Sequence, residues 1–257
     1  MEKTSPGEFF GFAFMVDLRN FSEVCRRLLI AKSPDSAPVN GLKRNIYSTF
    51  FDFIVTTLEK ATKTNKDLIF EYKHTGDGFL FITHASQNVT YLSSFRFLLD
   101  LHAIFDKETP KLNSRLRRIL GKKDNQDAIK ASPHLKYIKS LFKDPSTGNS
   151  RDYITFSIGG HCGKIYFQKF DGKTLLLGNT INLAARFQEL SKTFSEFNLF
   201  FSKGIKNLLE KYPNETSVAM QEILDLRKID IRGIGATEIC TIPKPRIPKV
   251  LQSLAGK

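Results

Sequence analysis

The stretch from Leu68 to Ile82 constrains the fold more than any other part of the chain. Leu68-Ile69-Phe70-Glu71-Tyr72 and Phe79-Leu80-Phe81-Ile82 are aromatic and β-branched runs of strand length, and Thr75-Gly76-Asp77-Gly78 lies between them. Glycines flanking an acidic residue between two apolar runs predict a β-hairpin with Asp77 at its turn. A second apolar run, Phe12-Ala13-Phe14-Met15-Val16-Asp17-Leu18-Arg19-Asn20-Phe21, reads as a buried strand that delivers Asp17 at its end.

Around these runs the apolar spacing predicts helices over 20–31, over 42–63 through Ile46, Phe50, Phe53, Ile54 and Leu58, and over 88–106. Strands are expected at 153–160 and 164–170, a helix at 179–191, a strand near 197–202, a helix at 203–211 and closing strands at 225–232 and 237–242. Ser33–Gly41 reads as a loop and 144–150 as a flexible exit. The Pro243-Lys244-Pro245-Arg246-Ile247-Pro248 run is expected to leave the sheet as an extended arm, part of a Pro/Lys-rich tail over 243–257. An order of β-α-α-β-β-α-β is that of an α+β, ferredoxin-like (split βαβ) domain.

At 257 residues the chain can bury one sizeable core, which places a single domain at 1–242. No apolar stretch reaches the roughly 18–20 residues of a membrane span, and the N-terminus lacks the pattern of a signal peptide. A soluble, cytoplasmic protein is expected. Three widely spaced cysteines, Cys25, Cys162 and Cys240, give neither a disulfide framework nor a zinc site. Much of the net charge of +13 lies in a basic insertion over about 107–152, where Arg115, Arg117, Arg118, Lys122, Lys123, Lys130, Lys136, Lys139 and Lys143 have few acidic neighbours. Such a cluster attracts polyanions non-specifically. Without interleaved aromatics or a nucleic-acid motif, it reads as a solvated insertion or a steering surface, and no specific nucleic acid is implied.

Chemistry enters with Leu177-Gly178-Asn179-Thr180-Ile181-Asn182-Leu183-Ala184-Ala185-Arg186, where a Gly-Asn turn runs into a helix. Asn182 and Arg186, four apart, share one helix face. An amide beside a guanidinium that cannot lose its proton suits a phosphate whose charge changes during reaction. Two strand-end carboxylates, Asp17 and Asp77, suit Mg²⁺ that also binds substrate phosphates.

Taken in order, Val16-Asp17-Leu18-Arg19-Asn20-Phe21, Lys73-His74-Thr75-Gly76-Asp77, Gly178 to Arg186 and Ile231-Arg232-Gly233-Ile234-Gly235 resemble the class III nucleotidyl cyclases, the adenylate and guanylate cyclase catalytic domains. The resemblance implies a head-to-tail homodimer with two composite sites, cyclising a nucleoside triphosphate to a 3′,5′-cyclic nucleotide and pyrophosphate. It implies that Asp17 and Asp77, with the backbone carbonyl of Leu18, hold two divalent cations, Mg²⁺ or Mn²⁺. Arg186 from the partner chain would stabilise charge on the α-phosphate, Asn182 would orient the ribose, and Arg232 would hold the terminal phosphates.

The sequence departs from adenylate cyclases at the base. Lys73 matches their lysine, but Leu175 stands where they carry the aspartate that accepts from the adenine amino group, and the glutamate of the guanylate pattern is absent. Tyr47 and Arg96 are candidates to fill and line a smaller base pocket, although both also read as core packing, Arg96 by snorkelling. In length and in lacking the adenine pair the chain is similar to the bacterial anti-phage pyrimidine cyclases of the Pycsar type. Cyclic UMP or cyclic CMP is thus the expected product, from UTP or CTP in preference to ATP or GTP. An adenylate cyclase and a catalytically silent nucleotide-sensing module are the alternatives.

Overall fold

The computed structural model describes residues 5–31, 37–84, 88–142, 152–231 and 235–255. The chain divides into two compact units: Met1–Asp17, Thr62–Ala103 and Ser157–Lys257 form the first, Leu18–Ala61 and Ile104–Phe156 the second.

The first unit carries a mixed sheet. Its strands are β1 (Gly7–Arg19), β2 (Ile69–His74), β3 (Gly78–His84), β4 (Thr155–Phe170), β5 (Lys173–Leu177), β6 (Leu199–Ser202), β7 (Leu224–Ile231) and β8 (Gly235–Thr241), a few terminal residues of β1 and β4 belonging to the second unit. They run in the order β2-β3-β1-β4-β6-β8-β7, with β5 folded back on β4. The segment β2-β3-β1-β4 is the interleaved order of the split βαβ plan, so the fold expected from the sequence is the one observed. Its two faces bury different rings. On one, Phe14 and Phe81 meet Phe97, and Phe95 meets Phe201, from helix α3 (Asn88–Gly121). On the other, helix α6 (Asn179–Glu189) packs Leu183 and Phe187 against Phe200, Ile231 and Ile239.

The second unit contains α1 (Phe21–Ile30), most of α2 (Ala37–Lys63), the later half of α3, α4 (Gln126–Ala131) and α5 (Pro133–Leu141). Phe50 packs edge-on against Phe21, and Phe105 lies between Phe53 and Phe156. The buried Asn113 amide bridges the Ile154 backbone, donating to its carbonyl and accepting from its N–H. The described part of the basic insertion, up to residue 142, is thus folded: Ala128, Ile129, Leu135 and Ile138 are buried while Lys122, Lys123, Lys130, Lys136 and Lys139 stay exposed.

Several boundaries differ from those expected. The third helix does not stop at 106 but continues through Pro110 to Gly121, because buried Leu112, Asn113, Leu116 and Leu120 outweigh the one backbone bond a proline removes. Helix α2 starts at Ala37, inside the expected loop, with Pro38 in its first turn, where proline is tolerated. The strands expected at 153–160 and 164–170 are one continuous β4. The C-terminal run is no extended arm: Ile247–Ala255 is helix α9, with Ile247 and Val250 fully buried. It is clasped to α8 (Pro213–Glu222), which follows α7 (Lys203–Leu209), and there Glu222 accepts from Arg246 and Lys249 at 2.9 and 2.7 Å. The expected loop at 144–150 lies outside the described residues. Among those described, no helix is long and apolar enough to cross a membrane.

Candidate catalytic site

Strand register brings the two acidic residues together. Asp17 lies opposite Gly78 in the β1–β3 pair, so Asp77, one residue earlier, stands beside it across the strand gap. A Cβ at position 78 would sit 2.0 Å from the Val16 carbonyl oxygen, which makes glycine the only residue that permits this register. The turn is closed by the Thr75 N–H donating to the Gly78 carbonyl at 2.9 Å, with Gly76 at φ 94°. Both carboxylates are half-buried, open enough to take a ligand.

Helix α6 carries the other two candidate residues, Asn182 and Arg186. It begins at Gly178, at φ 142°, and the Thr180 hydroxyl ties its first turn to β4 by donating to the Lys164 carbonyl at 2.8 Å. At 3.6 residues per turn, Leu183, Ala184, Phe187 and Gln188 face the sheet and are buried, while Asn182 and Arg186 are exposed together on the outer side. Arg186 pairs with Glu189 at 3.0 Å, both side chains about half exposed. A solvent-screened pair of this kind is worth at most about 1 kcal/mol and does not withhold the guanidinium from a phosphate.

The sequence reading missed Gln188. Its amide donates to Asp17 Oδ2 at 3.0 Å and to Ser157 Oγ at 2.7 Å. A glycine makes this reach possible: a Cβ at position 159 would fall 2.0 Å from the Ala184 carbonyl oxygen and 2.3 Å from the Gln188 nitrogen. Both residues left a signal, a glutamine on the apolar stripe of a helix and a Gly-Gly pair inside a strand, the usual mark of close backbone approach.

The base-position candidates separate. Lys73 and Leu175 are brought together, since the Lys73 ammonium donates to the carbonyl of Thr174 and Leu175 follows it in β5, 51% exposed. Arg96 stands exposed on α3; burial raises the carboxyl of Asp100 and the Arg96 charge partly offsets this. Tyr47 belongs to the second unit, half-buried, its hydroxyl pKa raised by burial and then by Cys25. The side chain of Leu18, also in the second unit, is buried. Arg232 lies outside the described residues.

Among the described residues no three His, Cys, Asp or Glu side chains cluster as a metal site. The donor set of Asp17 and Asp77 still fits Mg²⁺ or Mn²⁺: one or two carboxylates with hard oxygens are what such cations take when substrate phosphates complete the shell.

Similarity to solved structures agrees with this fold. A bacterial light-regulated adenylyl cyclase matches with a TM-score of 0.54 and 15% identity, over 98% of this chain and 59% of its own. The chain therefore spans less than two thirds of that one. The fold is that of a class III cyclase catalytic domain. The guanylate cyclase domain of RhGC from Catenaria anguillulae, in complex with GTP, matches with a TM-score of 0.52 and 15% identity, over 93% of this chain and all of that one. The catalytic core of a rhodopsin-guanylyl cyclase with converted specificity, in complex with ATPαS, matches equally well over 94% of this chain. No protein-family model and no curated protein matches the sequence.

Proposed function

We propose that the chain is a nucleotidyl cyclase working as a head-to-tail homodimer. The reading rests on one observation: α6 turns Gln188 inward onto Asp17 and, two residues earlier and therefore on its opposite side, turns Arg186 outward. Arg186 thus faces away from the carboxylates of its own chain, and its phosphate belongs to a second copy. The exposed apolar side chains of β4 and β5, Tyr166, Phe170, Leu175 and Leu177, support a surface that another chain covers.

In the proposed reaction the ribose 3′-oxygen attacks the α-phosphorus, the bond to the bridging oxygen of pyrophosphate breaks, and the hydroxyl proton passes to solvent. Asp17 and Asp77 would hold the two cations, which when bound neutralise the triphosphate and acidify the attacking hydroxyl. Asn182 would orient the ribose, and Arg186 would meet the charge that grows on the α-phosphate.

For the base, we propose a pyrimidine, with UTP ahead of CTP. The support is Leu175, which has no atom able to accept from an adenine amino group, and a Lys73 ammonium already engaged by the Thr174 carbonyl. Sites that read bases by hydrogen bonds discriminate steeply against partners that leave them unmatched. The experiment is the Asp77→Asn variant: a folded protein that has lost cyclase activity supports the assignment, and undiminished turnover removes it.

A further inference from the structure

The buried amide of Gln188 carries an inference about how the carboxylate is held, which rests on the cyclase reading above. Only 7% of Gln188 is exposed, and Ser157 is fully buried. An apolar residue at 188 would leave the inner side of Asp17 and the Ser157 hydroxyl without this donor, and buried polar groups left so are costly. A lysine would cancel the negative charge a cation needs, and a glutamate would set two carboxylates against each other. A neutral donor fixes one oxygen of Asp17 and keeps its charge. The close approach that only Gly159 allows brings the donor within reach, and Ser157 holds the same nitrogen from the other side.

We propose that Gln188 is a positioning residue for Asp17, fixing the carboxylate through Oδ2 so that the site takes its divalent cation in a pre-set orientation. Partners of metal-binding carboxylates commonly contribute about 10–100-fold to metal affinity. The same helix would then orient the metal ligand of one site and supply Arg186 to the other.

The test is Mn²⁺ binding to the full-length protein, read from the loss of the free-ion EPR signal in the presence of α,β-methylene-UTP. Gln188→Met keeps the length and removes the donor. It is expected to weaken Mn²⁺ binding about tenfold or more, with the melting temperature within a few degrees of wild type. Turnover at saturating Mn²⁺ should recover to near the wild-type rate, a split between metal affinity and kcat that general loosening of the fold does not produce. Should Gln188→Met fail to fold, Ser157→Ala removes the second anchor and should weaken binding about threefold. Asp17→Asn separates the two readings. If wild type binds Mn²⁺ no better than Asp17→Asn, the metal site itself is overturned, and this inference with it. If binding depends on Asp17 but is unchanged in folded Gln188→Met, or in Ser157→Ala where the former does not fold, this inference alone is overturned.

Discussion

Replacing Gly159 by alanine tests the packing on which the site is built. The new Cβ would lie 2.0 Å from the Ala184 carbonyl oxygen and 2.3 Å from the Gln188 nitrogen, where ordinary contacts begin near about 3.5 Å. Both neighbours are backbone, so no side chain can swing aside, and α6 must retreat by about 1.5 Å. Overpacking of this kind costs typically 1–3 kcal/mol, and contact with two backbone atoms puts the cost at the upper end, about 3 kcal/mol. For a chain of this size that corresponds to a fall in Tm of about 6–12 °C. The same retreat pulls the Gln188 amide from Asp17, now 3.0 Å away, so Mn²⁺ affinity should fall with stability. Gly160→Ala is the internal control: its Cβ meets side-chain carbons of Leu98 and Phe14 at 3.3 Å and of Phe201 at 3.4 Å, and a loss of about 1 kcal/mol is expected. Calorimetry on the two variants decides the matter. Equal melting temperatures for Gly159→Ala and Gly160→Ala would refute the close approach of α6 to β4.

Mixing inactive Asp77→Asn with inactive Arg186→Ala should restore about a quarter of wild-type activity, because half of the exchanged dimers carry one intact site of two; no recovery after proven subunit exchange contradicts the composite site. Leu175→Asp places an acceptor beside Lys73 and should move the ratio of ATP to UTP turnover about tenfold toward ATP; an unchanged ratio shows that β5 does not read the base. Stability should also fall in acid through His161, whose pKa burial lowers from 6.5 to about 4. The unfolded chain takes up this proton below about 6.5 and the folded chain does not, so stability is complete above that pH and is lost as pH drops toward 4, by up to about 3 kcal/mol. Urea unfolding at pH 7.5 and 4.5 should show a smaller difference for His161→Asn than for wild type; an equal difference assigns the acid sensitivity to other groups.

The central strands and the long helices were legible because their signals are local. Phe12 to Val16 and Phe79 to Ile82 are apolar runs bounded by turns, the pattern of buried strands, whereas the register of Asp17 with Gly78 joins β1 to β3, strands far apart in sequence, and no local signal carries it. The β4–β5 hairpin was equally local and was overlooked: Asp171 and Gly172, at φ 50° and 70°, form the two-residue turn that Asp-Gly favours. Helix α3 beyond Pro110 was a tertiary matter, since its later turns are held by packing that no window around 107–121 contains. The helices at the C-terminus misled for another reason. Pro213 opens α8 and Pro248 sits in the first turn of α9, positions where proline starts a helix as readily as it breaks a strand. At the site, Asp17, Asp77, Asn182 and Arg186 could be named from motif order, whereas Gln188 and Gly159 gain meaning only when α6 lies on β4.

The most direct test of the account is to incubate the purified protein with equal concentrations of ATP, GTP, CTP and UTP and Mn²⁺, and to identify the products by mass. The expected products are a 3′,5′-cyclic nucleotide and an equimolar amount of pyrophosphate, with cyclic UMP in excess over the others and no product from Asp77→Asn. Absence of any cyclic nucleotide from a folded, dimeric, Mn²⁺-binding protein would contradict it.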